Sequence, residues 1–224
     1  MEKGTGGRGE SKLTTAKEEN NTFAASLLGG NKIVDCTQTI TEDAFSFGGR
    51  FGLYKSCPFK MEEKKGFKLG PDELVAKGAI IDVTEKDVVD WEKQYGQIPK
   101  RAIVIMKTGW GARFNDIDRY ENKDKDGVCN FPGFHPDTAK LLIQKREIVG
   151  IGIDTPSLDY GPSKNYPTHK IILGADKYQI ENMNLEGVEE GASTTFISSP
   201  MLVKGAPESE TRVFAVVGTA GNKS

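Results

Sequence analysis

An α/β domain built on a mixed sheet is what this sequence predicts, and three features predict it. Short β-branched apolar runs alternate with amphipathic stretches of helical period. Two of those runs, Ala102–Met106 and Ile148–Ile153, are apolar throughout, as suits strands covered on both faces. Turn residues, many of them glycine, punctuate the chain between them. At 224 residues the chain is long enough for one sizeable core, and we read one domain over residues 31–220 behind a disordered polar arm at 1–30.

The arm is rich in Gly, Lys, Glu, Thr and Asn, with Phe23–Leu28 as its one apolar island, too little to offset the entropy of ordering. Lys32–Ile40 alternates apolar and polar side chains and reads as a half-buried strand. Residues 50–68, lysine-rich around Pro58, read as loop. Pro71–Ala76 resembles a helix start, with proline and acids in its first turn. Gly78–Val83 is a short buried strand, and Asp87–Tyr95 a helix closed by Gly96. After the Ala102–Met106 strand, residues 111–133 are polar and loop-like, and Pro136–Gln144 is a helix leading into Ile148–Ile153. His169–Leu173, Gln179–Asn182, Met201–Lys204 and Arg212–Val217 are the remaining strand candidates.

Composition excludes several functions. Thirty Lys and Arg face 32 Asp and Glu, so a formal charge of −2 offers no field for nucleic acid or an anionic membrane. Cys36, Cys57 and Cys129 are too few and too scattered for a disulfide framework, form no C-x-x-C pair and occupy no nucleophile motif. No apolar run approaches the ~20 residues of a membrane span, and the polar start lacks a signal-peptide core, so the chain is read as cytoplasmic, with secretion left open if the start is truncated. Asn122–Gly127 spaces oxygen ligands like the start of a calcium loop, but its twelfth position is Gly133 instead of a bidentate acid, so it reads as a solvated loop.

Only two histidines exist, His135 and His169. His135 precedes an apparent helix start and reads as a cap or surface group. His169 fronts an apolar run, with Glu181 twelve positions later. Taken alone, this pair is weak evidence, and a satisfied core histidine is the better reading.

With its neighbours the pair gains weight. Ile33–Thr37, Ala79–Val83, Ile105–Trp110, Phe131–Gly133 and above all Gly152-Ile-Asp154-Thr-Pro-Ser157-Leu-Asp159, followed by His169, Leu173-Gly174 and Glu181-Asn182, resemble the cyclase family of metal-dependent hydrolases in content and order. The family includes kynurenine formamidases (arylformamidases) and isatin hydrolases. The resemblance runs from Ile33 to about Val217 and implies a swivelling β/β/α-type fold, a homodimer or homotetramer, and a zinc or manganese centre. It implies hydrolysis of an amide C–N bond in a small N-formylkynurenine-like substrate by metal-activated water, with His169 and Glu181 as late metal ligands on neighbouring strands, converging on one cavity.

One departure stands against this. The family's early ligand motif, His-x-Gly-Thr-His-x-Asp-x-Pro, has no counterpart between the first strand and Ala79, where residues 48–72 hold no histidine and the interval is short by roughly thirty residues. Cys57, Glu62, Glu63 and Asp72 match no family position. The metal is therefore expected to bind weakly or not at all, and a non-catalytic binding or regulatory homologue is the alternative to an active hydrolase.

Overall fold

A computed structural model describes residues 31–38, 71–82, 88–191, 193–201 and 208–218. Seven strands form one mixed sheet in the order β1-β7-β6-β2-β3-β4-β5. They are β1 (Lys32–Asp35), β2 (Val75–Asp82), β3 (Ile103–Lys107), β4 (Gly150–Ile153), β5 (Tyr178–Ile180), β6 (Thr194–Pro200) and β7 (Thr211–Val217). Strands β2 to β5 pair in parallel, whereas β2–β6, β6–β7 and β7–β1 are antiparallel. Among the described residues the helices are α1 (Pro71–Leu74), α2 (Val88–Tyr95), α3 (Ile117–Glu121), α4 (Pro136–Arg146) and α5 (Pro167–Gly174), with a 3₁₀ turn at Trp110–Arg113. This is the α/β single domain with a mixed sheet that the sequence predicts. Among the described residues no helix is long and apolar enough to cross a membrane.

Alternation along the central strands creates two cores. Ala79, Ile81, Val104, Met106, Ile151 and Ile153 meet Trp91 of α2, Leu142 of α4 and Ile172 of α5. The opposite side chains, including Ile80, Ile103 and Ile105, meet Met183, Leu185 and Val188 from the segment after β5, and Phe196, Val213 and Ala215 from the antiparallel strands. The glycines of β4 belong to this second face. A Cβ on Gly152 would lie 2.6 Å from Ile105 Cδ1 and 2.7 Å from Met183 Sδ, so the side chains packed across the strand already fill its space.

Several expectations change. His169–Leu173 is not a strand: it lies within helix α5, whose first turn is capped by Asp159. The β-branched Ile171-Ile172 pair suggested a strand, but a cap nine residues upstream decides for the helix. Residues 111–133 are not all loop, because they contain most of the 3₁₀ turn and α3, whose N-cap Asp116 accepts the Arg119 N–H at 3.2 Å. The helix at Pro71 stops at Leu74 and gives way at once to β2. Strand β6 was not anticipated; the strand expected at Met201–Lys204 begins just past its end, and residues 202–204 lie outside the described residues. So do the 1–30 arm, the 50–68 loop and the end of the first expected strand.

Helices α2 and α4 are tied by a bidentate pair: Arg146 donates through Nε to Glu92 Oε1 and through Nη2 to Oε2, both at 2.6 Å, while the Ile98 N–H donates to Oε1 at 3.0 Å. The Arg146 bonds lower the Glu92 carboxyl below its usual value and outweigh the opposing effect of burial. Glu92→Ala is predicted to destabilise the fold by about 2 kcal/mol at pH 7, measured by urea unfolding. Because the folded pKa is depressed, this contribution is present above the ordinary value of 4.5 and is lost as pH falls through the lower folded value. The difference between wild type and variant should therefore close in acid.

Candidate functional site

The chain leaves the carboxyl end of β4 through Asp154-Thr155-Pro156-Ser157-Leu158-Asp159, in which Asp154, Thr155, Ser157 and Asp159 are all buried. Buried polar groups need partners, and these have them. Asp154 accepts the Thr108 N–H at 3.0 Å and hydroxyl at 2.6 Å through Oδ1, and the Gly111 N–H at 3.3 Å through Oδ2, which turns the chain after β3 into the 3₁₀ helix. The Thr155 hydroxyl donates to the Ser157 carbonyl at 2.8 Å. Asp159 Oδ1 accepts the Thr168 N–H at 2.8 Å and Oδ2 the His169 N–H at 3.2 Å, so the carboxylate sits on the N-terminus of α5 where the helix dipole favours it.

These bonds bring His169 and Glu181 together. The His169 Nδ1 lies 2.7 Å from Asp159 Oδ2, and its Nε2 lies 3.1 Å from Glu181 Oε1. Glu181, just beyond β5, also accepts the Leu158 N–H at 3.0 Å. The next residue, Asn182, adopts a left-handed conformation at φ 56°, donates its N–H to the Thr155 carbonyl at 3.0 Å, and accepts the buried Tyr120 hydroxyl at 2.9 Å. The two predicted site residues thus converge, but His169 from a helix and Glu181 from the segment after a strand, instead of from neighbouring strands.

The electrostatics follow from this packing. Burial depresses the His169 pKa, but the bonds to Asp159 and Glu181 outweigh it and hold the imidazole at about 9. Burial likewise opposes ionisation of Asp159, yet the His169 ring and the Thr168 and His169 amides keep its carboxyl below the usual value. Burial, then the charges of Asp154 and Glu181, push the Tyr120 phenol upward. Sequence reasoning missed Tyr120 and the holding roles of Asp154 and Asp159. The dense polar run after an apolar strand was their signal.

Zinc or manganese is the cofactor that the family implies. In contact are one imidazole nitrogen and one carboxylate, with the second ring nitrogen taken by Asp159, while the Glu208 carboxyl, its pKa raised by burial and by the charge of Glu181, stands near enough to interact with both. No group of three or more His, Cys, Asp or Glu side chains among the described residues is arranged to hold a metal, whereas a catalytic zinc takes three protein ligands. His135 is occupied elsewhere, its Nδ1 accepting the Asp137 N–H at 3.2 Å as the cap of α4. Burial pushes the Cys36 thiol up to about 12, and Cys129 also lies above its usual value through burial and the charge of Glu121. Cys57, Glu62 and Glu63 lie outside the described residues. The described residues by themselves do not fit a catalytic metal.

Two loops must touch to hold this geometry. The Phe134 N–H donates to the Leu158 carbonyl at 2.7 Å and the Gly161 N–H to the Phe131 carbonyl at 2.9 Å. A Cβ on Gly133 would lie 2.2 Å from Tyr160 N and 2.4 Å from the Asp159 carbonyl carbon, so backbone occupies its space. Gly133→Ala is predicted to cost about 1–3 kcal/mol in urea unfolding. Gly174→Ala at the end of α5, where a Cβ would meet nothing within 4 Å, should leave stability unchanged or slightly raised.

Comparison with known proteins agrees with this architecture. Two curated kynurenine formamidases match short stretches. That of Bordetella petrii is 36% identical over 83 residues, 37% of this chain and 39% of the relative. That of Polaromonas naphthalenivorans is 43% identical over 63 residues, 28% of each. The matched stretch thus spans about two fifths or less of these relatives' length. Isatin hydrolase A from Ralstonia solanacearum superposes with a TM-score of 0.70 at 21% identity, covering 96% of this chain and all of that one. An isatin hydrolase bound to the product analogue thioisatinate gives 0.72 at 19%, covering 91% and 99%. A structure titled as a potential metal-dependent hydrolase with cyclase activity gives 0.59 at 19%, covering 82% and 96%. At these identities the likeness is one of fold. The Cyclase family model matches residues 31–160, more than half of the chain, and this protein belongs to the cyclase family.

Proposed function

We propose that this chain binds a small aryl formamide of the N-formylkynurenine kind beside His169 and Glu181, and that it hydrolyses such a compound barely or not at all. The contact between the two side chains carries the reading. The imidazole N–H and the carboxylate, 3.1 Å apart, are bonded to each other, and exchanging that one bond for two would pair them with the carbonyl and the N–H of an amide. Both groups are anchored, His169 by Asp159 and Glu181 by the Leu158 amide, so little side-chain freedom is lost on binding. The names of the curated relatives support the substrate class.

A bound zinc or manganese would supply a water far more acidic than bulk water, but that requires a fixed and partly dehydrated ion, and two donors fix very little. The structural neighbours titled as metal-dependent hydrolases favour a second reading, an active arylformamidase. That reading needs ligands beyond the described pair. By the same family resemblance the chain is proposed to assemble as a homodimer or homotetramer, which light scattering would establish.

The test combines calorimetry with N-formylkynurenine, metal content per subunit, and a formamide hydrolysis assay with added zinc or manganese. The expected outcome is saturable binding, far less than one metal per subunit, and turnover well below about 1 per second, an ordinary enzyme rate. His169→Ala should weaken binding by about tenfold, the loss of one charge-assisted hydrogen bond. Near-stoichiometric metal with turnover of about 1 per second or more would establish the hydrolase reading instead, and no binding at all would overturn both.

A further inference from the structure

We infer that Asp159 is a positioning residue: one carboxylate that caps α5 and also sets which nitrogen of the His169 ring meets Glu181. The inference rests on reading His169 and Glu181 as the site, and it adds a residue that the ligand assignment does not contain. Asp159 is 2% exposed and each of its oxygens is committed, Oδ1 to the Thr168 N–H and Oδ2 to the His169 N–H. Those two amide bonds fix the carboxylate plane relative to the helix. Oδ2, which lies 2.7 Å from His169 Nδ1, therefore cannot follow the ring if it rotates.

A flip of the imidazole would place a carbon against Oδ2 and another against Glu181, losing both contacts. Tyr166, at the left-handed N-cap of α5, packs edge-on against the ring with centroids 5.7 Å apart and planes at 82°, which holds the ring plane. On the other side, the Leu158 N–H holds Glu181 Oε1. The dipeptide 158–159 thus fixes both partners, one through a side chain and one through a backbone amide, and the distance between them follows. Because a carboxylate can only accept, each ring nitrogen faces its carboxylate with a proton, Nδ1 toward Asp159 and Nε2 toward Glu181.

The chain's two histidines make this measurable. In full-length protein labelled with ¹⁵N-histidine at pH 7, a His135→Gln variant assigns the ring signals, and the His169 Nδ1 should appear protonated. Asp159→Asn keeps an oxygen for the Thr168 amide and puts an NH₂ where Oδ2 faces the ring, at the loss of the His169 amide bond. The Nδ1 signal should then shift to that of a bare, hydrogen-bond-accepting nitrogen. Asp159→Ser keeps a helix-capping oxygen too short to reach the ring, and the His169 Nδ1 signal should then lose its carboxylate-bonded character while Nε2, still facing Glu181, keeps its own. Unchanged His169 ring signals in both folded variants would overturn the inference. So would failure of both variants to fold by circular dichroism, which would assign Asp159 to the fold alone. The readout is independent of ligand binding and turnover, so failure of the proposed function leaves this result standing.

Discussion

The interaction on which the site depends is the seating of the Asp159 carboxylate at the first turn of α5. A buried charge without partners would cost several kcal/mol, and Asp159 avoids that penalty by taking two main-chain amides and one ring nitrogen. The same bonds anchor the helix in place, although the Thr168 hydroxyl contributes as well by donating to the Phe134 carbonyl at 2.9 Å. Once α5 is fixed there, Ile172 falls into the core shared by α4 and the central strands, and the chain returns through Lys177, whose N–H donates to the Ile172 carbonyl at 3.1 Å, into β5. Glu181 is then delivered to the ring that the cap has oriented.

The cap in turn needs its own platform. The segments 129–134 and 158–161 touch main chain to main chain, through two hydrogen bonds and through two glycines whose missing side chains leave room for the other strand of backbone. For Gly161 the neighbour is the Cys129 carbonyl, 2.4 Å from where a Cβ would stand. Glycine is needed at these two places for close approach rather than for an unusual turn, since neither is among the glycines with positive φ.

Much of the fold was legible because its central strands are covered on both faces. Ala102–Met106 and Ile148–Ile153 are apolar without interruption, and burial on both sides is the physical reason. Strand β6 was not legible: its inward positions include Thr194 and Ser198 beside Phe196, so hydroxyls blur the alternation that marks a half-buried strand. Helix α5 and the helical form of the turn at Trp110 were missed for a different reason. Each depends on a carboxylate remote in sequence, Asp159 for the helix and Asp154 for the turn, and local pattern carries no record of such a bond. At the site, family spacing singled out His169 and Glu181, whereas the residues that hold them required three dimensions. Tyr120 lies 62 positions from the Asn182 it bonds.

A chain can depart from its family in one half of a site and still keep the other half in order if the two are held separately. Here the bonds that fix Asp159, His169, Glu181 and Asn182 come from Thr155, Leu158, Thr168, His169 and Tyr120, all between residues 120 and 182. Most of them end on main-chain amides or carbonyls, which persist through side-chain substitution. Packing against β4 and α4 holds this unit whether or not a metal is ever recruited, because every charge in it already has a partner of opposite sign or an amide dipole. The arrangement that makes the late half durable also weakens its claim on a cation: an imidazole bonded at both nitrogens must give up the bond to Glu181 before it can serve as a ligand, and must first lose a proton to do so.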